Sequence, residues 1–169
     1  MYRKGHYGVS LLVFAPVGFT LLTLGRPALA FVGGAGMLWL AMAPDLDQRV
    51  PGVKHRGVTH TLAFAGLVGA AFGAAGLALG SAVGLARAVA LGAFGFGVGT
   101  LAVLAHLLAD VLTPAGVALL WPLTSRRFSV SLTTADSVFW NYGLLAAGVL
   151  VTSTLALFAA GAGVAVLPA

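Results

Sequence analysis

The chain has no cysteine and no glutamate, and its only acids are four aspartates. Without cysteine there is no disulfide framework, no thiolate metal site and no thiol nucleophile. Without glutamate there is no H-E-x-x-H metalloprotease motif. A G-x-S-x-G nucleophile elbow, a G-x-G-x-x-G dinucleotide turn and a Walker sequence are missing too. Charged residues make up 8% of the chain, where soluble domains carry about a quarter. What remains is 60% apolar and rich in glycine, with a mean hydropathy of +1.04. This composition predicts an all-α integral membrane helical bundle, a single domain over residues 1–169. The net charge of +5 does not point to nucleic acid, because the basic residues flank apolar spans and form no long run. Anionic headgroups of membrane lipids are the natural partners.

A transmembrane helix needs about 20 mainly apolar residues. Five stretches meet or approach that length: 8–24, 28–43, 61–85, 88–112 and 138–161. The second is short and ends before Pro44, a residue that disfavours helix at its predecessor. Residues 115–123, bracketed by Pro114 and Pro122, are apolar but too few to span, so a short interfacial or re-entrant piece is expected there. With five spans and a cytoplasmic N-terminus, the inner segments hold Arg3, Lys4, Arg49, Lys54, Arg56, Arg126 and Arg127, and the outer ones only Arg26 and Arg87. Seven against two places the N-terminus inside the plasma (inner) membrane and the C-terminus outside. The competing reading of the N-terminus is a cleaved signal peptide, with Ala28-Leu29-Ala30 as the small-residue site. Arg26 and Pro27 interrupt the approach to that site, and the apolar run exceeds a usual signal core. Glycines recur at small-xxx-small spacing, at 69 and 73, at 76, 80 and 84, and at 95 and 99. That spacing predicts close packing of spans three and four, which would bring His60 near His106.

Ionisable groups are costly near lipid and are seldom kept there without a partner or a task. All four histidines and three of the four aspartates fall in short clusters. His6 precedes span one, Asp45 and Asp47 follow span two, His55 and His60 precede span three, and His106 and Asp110 end span four. The topology puts all seven at the cytoplasmic face, although it was derived without them. They are the expected ligands of two or more divalent ions. Mixed imidazole and carboxylate ligation favours Zn²⁺, with Mn²⁺ and Fe²⁺ as alternatives. His106 and Asp110, four apart on a helix, share a face. Asp45 and Asp47 flank Leu46, so one can bind metal while the other orients a histidine. Gly57 suggests irregular backbone between His55 and His60, and Thr59 is a candidate cap for span three. Arg56 reads either as an inner-flank charge or as a guanidinium that holds an anion through its planar fork. Asp136, next to Ser137 and span five, reads as a helix cap and stays outside the site.

These motifs together resemble a known family. A histidine near the N-terminus is followed by P-D-L-D at 44–47, H-R-G-V-T-H at 55–60, H-L-L-A-D-V-L-T-P-A-G at 106–116, and Leu120-Trp121-Pro122. The order resembles the YdjM-like, LexA-regulated membrane-bound metal-dependent hydrolases. That family often has histidine or another polar residue after P-D-x-D, where this chain has Gln48. A lighter likeness, in ligand order alone, is to zinc-dependent phospholipases C and related single-strand nucleases. The resemblance implies a metal-dependent hydrolase, and a site at headgroup depth favours a lipid phosphoester over an amide or ester. In that reading a metal-activated water attacks, His55 or His60 protonates the leaving group, and Arg56 holds the anion with Lys54 or with Arg126 and Arg127. The alternatives are a metal or proton transporter and a non-catalytic protein whose histidines and aspartates only tie helices together. Transport sites normally sit near the midplane between repeats, and neither feature is visible here.

Overall fold

The computed structural model describes the backbone of residues 1–165 and the side chains of 1–161. Five α-helices form it: α1 (Arg3–Thr23), α2 (Pro27–Leu40), α3 (Leu62–Ser81), α4 (Leu85–Val111) and α5 (Val138–Ala165). All are long and apolar enough to cross a membrane, α2 together with the 3₁₀ turn Pro44–Arg49 that follows it. The expected helical membrane bundle is thus the observed one. Among the described residues the sole β feature is one antiparallel bridge between Val117 and Phe128.

The spans follow the hydropathy reading, with α3 stopping at Ser81 and α4 resuming at Leu85, and two further ends differ for physical reasons. Helix α1 starts at Arg3, so it includes the charged residues expected to precede it. The cost is offset by snorkelling: the Lys4 ammonium lies 3.9 Å above the ring of Tyr142 on α5 and hydrogen-bonds its hydroxyl. At the other boundary Pro44 stops regular α-helix and the chain continues as a tight 3₁₀ turn, which carries Asp45 and Asp47.

Helix α1 is central, packed on α5, α2 and α4, while α3 packs on α4. One apolar cluster joins Val9 and Phe14 of α1, Met37 and Leu40 of α2, and Val98, Ala102, Ala105 and Ala109 of α4. A second joins Ala65 of α3 to Val103 and Leu107 of α4. The expected glycine seam between α3 and α4 is present. A Cβ at Gly76 would stand 2.2 Å from the Leu91 carbonyl oxygen, and one at Gly80 2.4 Å from the Ala88 Cα. Only a hydrogen fits where two backbones approach that closely.

The start of α1, the end of α2, the start of α3, the end of α4 and the start of α5 meet at one end of the bundle, where hydrogen bonds link them. Residues 115–123 do not span. They form turns across this end, with Val117 fully buried. The Leu119 carbonyl accepts from the Leu62 amide at the head of α3. The amides of Val130 and Thr133 donate to the carbonyls of Val111 and Leu112 at the tail of α4. The chain between α4 and α5 therefore satisfies backbone groups that both helix ends would otherwise leave orphaned.

Candidate metal centre

Helix α4 supplies His106 and Asp110 one turn apart, both buried. His106 Nδ1 lies 2.7 Å from the Ala41 carbonyl oxygen, just past α2. A carbonyl can only accept, so Nδ1 carries a proton, and in the neutral ring Nε2 presents a lone pair. His60 ends the 3₁₀ turn Val58–His60 ahead of α3. Its Nδ1 lies 3.0 Å from the Thr59 hydroxyl, whose proton goes to Asp47 Oδ2 at 2.8 Å. With that proton committed, the hydroxyl can only accept from His60, so Nδ1 is again the donor and Nε2 the lone pair. The two Nε2 atoms face each other at 3.2 Å in a site both rings share fully buried. Two lone pairs at that distance repel unless a cation, either a proton or a metal ion, lies between or beside them.

Carboxylates surround the pair. Asp45 Oδ1 stands 3.3 Å from His60 Nε2 and 3.5 Å from His106 Nε2. Asp110 Oδ2 stands 3.5 Å from each. Four-coordinate zinc with bonds of about 2.0–2.1 Å has ligand atoms about 3.3 Å apart. The separations around the His60–His106 edge match that figure without rearrangement. His6, on the first turn of α1, stacks on His106 with centroids 3.9 Å apart. It is buried, and neither ring nitrogen has a hydrogen-bond partner. An unpaired buried polar side chain costs about 1–3 kcal/mol, so its retention calls for an explanation. Coordination would supply one. Three groups bring ligand atoms within 4.8 Å of one another and could hold a metal ion: His6, Asp45 and His106; Asp45, His55 and His60; and His60, His106 and Asp110.

The chain fits the family described as YdjM inner membrane protein over residues 1–168. It belongs to that family. The match runs past the motifs that suggested it, which stop at Pro122, and takes in α5. No curated protein and no solved structure matches the chain. Family membership and five apolar helices make it a multi-pass membrane protein.

Within this YdjM-family chain, six of the seven predicted ligands fall in the convergent groups. Asp47 does not. It is buried behind the histidines, with His55 Nδ1 at 3.0 Å from Oδ1, and with the Arg56 amide at 3.2 Å and His60 Nδ1 at 3.3 Å from Oδ2. His55 is the most open of the predicted ligands, its side chain 43% exposed; Asp45 follows at 15%.

The surrounding residues correct the sequence reading in several places. Arg56 is tied into the cluster. Its guanidinium reaches Asp110 Oδ1 at 2.8 Å, Thr113 Oγ1 at 3.3 Å and the Gly116 carbonyl at 3.4 Å. The backbone between His55 and His60 is irregular, as Gly57 suggested: Gly57 has φ of -96° and ψ of -127°, and Arg56 before it is left-handed, with φ of 58°. Thr59 does not cap α3. Thr61 does, accepting from the Phe64 amide at 3.1 Å, and Thr59 serves Asp47 instead. Asp136 is exposed and outside the cluster, as expected, but the hydroxyl nearest to capping α5 is that of Ser137, 3.4 Å from the Trp140 amide. Arg127 is spent on the Ala115 and Gly116 carbonyls, and Arg126 stands 5.6 Å over the Phe128 ring. Sequence reasoning missed Thr113 and Asn141. Asn141, on the first turn of α5, accepts from the Tyr2 amide at 2.9 Å and donates to the carbonyls of Ala135 and Ser137. A lone polar residue in an apolar span was the available signal.

Proposed function

We propose that the chain is a membrane-embedded metal-dependent hydrolase that cleaves a phosphoester of a membrane lipid at the cytoplasmic face. The reading rests above all on the His60 and His106 Nε2 atoms, held 3.2 Å apart with both Nδ1 protons committed elsewhere. His6, Asp45, His60, His106 and Asp110, with His55 at the rim, are the residues that would hold two or more divalent ions, Zn²⁺ before Mn²⁺ or Fe²⁺. Such ions, when bound, act as Lewis acids on a phosphoryl oxygen and lower the pKa of water from about 15.7 to about 7.

The chain's own residues divide the remaining work. His55, half open to solvent, is placed to give a proton to the leaving oxygen. Arg56 fixes Asp110 through Oδ1 and leaves Oδ2 toward the imidazoles. Its geometry favours this positioning role over capture of the substrate anion, a task left to exposed Lys54 and to Arg126. Leu46, Val50 and Val58 share the same short loops as the ligands and are about half exposed. An apolar rim interleaved with a polar centre suits an amphiphile entering from the leaflet. The basic flanks favour the cytoplasmic side for this end. Confinement of the ligands to one end of the bundle argues against transport.

Elemental analysis of the detergent-purified protein tests the metal. Wild type is expected to carry at least two equivalents, and His106→Ala and Asp110→Ala to carry fewer. Metal-free wild type after growth and reconstitution with Zn²⁺ ends the proposal. Comparison of lipid extracts from cells with and without the protein then tests the substrate: a phosphoester that accumulates only in its absence is the expected result.

A further inference from the structure

Asp47 is a fully buried carboxylate that stands outside the three groups able to hold a metal ion. Three donors reach it: His55 Nδ1 on Oδ1, and the Thr59 hydroxyl and the Arg56 amide on Oδ2. A carboxylate offers about four lone-pair sites, so this set fills Oδ2 and occupies half of Oδ1. We infer that Asp47 is a positioning residue that holds two histidines in one tautomer, His55 through one oxygen and His60, by way of Thr59, through the other. The inference deepens the metal reading and rests on it for its consequence, but its geometry does not need the ion.

Each oxygen does a different job. Oδ1 takes the His55 Nδ1 proton, which leaves the His55 Nε2 to exchange protons with whatever stands at the exposed rim. Oδ2 takes the Thr59 proton at 2.8 Å, and this fixes the hydroxyl as an acceptor for His60 Nδ1 at 3.0 Å. The imidazole then turns its Nε2 lone pair toward His106 and Asp45. The same carboxylate also accepts the amide of Arg56, where the backbone is left-handed, and so anchors the segment that carries both histidines. Outer partners of this type set ligand orientation and basicity, and their loss weakens metal binding about 10–100-fold without removing a ligand.

The test uses full-length protein in detergent with two readouts. Zn²⁺ content at saturation and Zn²⁺ affinity by chelator competition are measured for wild type, Asp47→Asn, Thr59→Val, Thr59→Ser and, as ligand control, Asp45→Asn. Imidazole ¹⁵N spectra of the metal-free proteins report the tautomers. Asp47→Asn is expected to keep the wild-type ion count, bind about 10–100-fold more weakly, and lose the single Nδ1–H tautomer at His55 and His60. Thr59→Val is expected to disturb His60 alone, and Thr59→Ser to restore it. Should Asp47→Asn not fold, the Thr59 pair carries the test. An ion count lowered as far in Asp47→Asn as in Asp45→Asn makes Asp47 a ligand and overturns the inference. Unchanged tautomers and affinity overturn it as well. A wild type that takes up no Zn²⁺ but shows the expected tautomers, lost in Asp47→Asn, sinks the metal reading and leaves the positioning role standing.

Discussion

Replacing Arg56 with alanine and with glycine separates two energies that the wild-type residue combines. The guanidinium is 2.8 Å from Asp110 Oδ1, with the two side chains 11% and 2% exposed. Removing one partner of a buried ion pair costs about 3–5 kcal/mol, because the other charge is left uncompensated. Two contacts soften the loss here. The Met1 nitrogen stays 3.1 Å from the same oxygen, and Arg127 still serves the Gly116 carbonyl at 2.9 Å. The lower end, about 3 kcal/mol, is therefore expected for Arg56→Ala. The backbone adds a second term. At φ of 58° a residue with a Cβ is strained, by roughly 1–2 kcal/mol, and glycine is not. Arg56→Gly should thus be about 1 kcal/mol more stable than Arg56→Ala, although both lose the same guanidinium. The assay is equilibrium unfolding in mixed micelles titrated with SDS, followed by tryptophan fluorescence. In an Asp110→Asn background the Arg56→Ala penalty should shrink by at least about 1 kcal/mol, as expected for residues in contact. An Arg56→Ala variant within about 0.5 kcal/mol of wild type would refute the buried pair. A glycine variant no more stable than the alanine one would refute the left-handed backbone.

The orphaned imidazole of His6 gives a prediction with opposite signs in two assays. His6→Phe keeps the stack on His106 and removes two unpaired buried nitrogens, so in excess chelator it should unfold later, by about 1–3 kcal/mol. The same variant should hold less Zn²⁺ than wild type, and a lower unfolding midpoint in chelator would show that His6 has a partner after all. On the glycine seam, Gly76→Ala puts a methyl 2.2 Å from a backbone carbonyl and should destabilise by about 1–3 kcal/mol. Gly66→Ala, which meets nothing within 4 Å on the same helix, should stabilise by about 0.5–1 kcal/mol. Equal midpoints for these two variants would contradict the α3–α4 contact.

Hydropathy made the five helices legible, because each span is a long apolar run that needs no tertiary information. The glycine spacing similarly anticipated that α3 and α4 touch, and with them His60 and His106. Charge bias along the chain grouped the seven candidate ligands before any distance was known. What hydropathy could not assign was the division of labour among them. Asp45 and Asp47 look equivalent in P-D-L-D, and only the 3₁₀ turn sends one toward the imidazoles and the other behind them. Arg56 looked like a flank charge because its partners, Asp110 and Thr113, lie more than fifty residues away. Thr59 and Thr61 are both plausible caps, and the choice between them depends on where α3 begins, a boundary that composition does not fix. The early start of α1 was hidden by Arg3 and Lys4, whose aliphatic stems let charged residues ride on a helix that hydropathy alone would shorten.

His55 is the most open member of the cluster, while His6, His60, His106 and Asp110 are buried. An open imidazole beside buried ones is the first that a reagent in solution meets. Acylation by a histidine-selective reagent should therefore label His55 well before the other three histidines, and equal labelling of all four would contradict their burial.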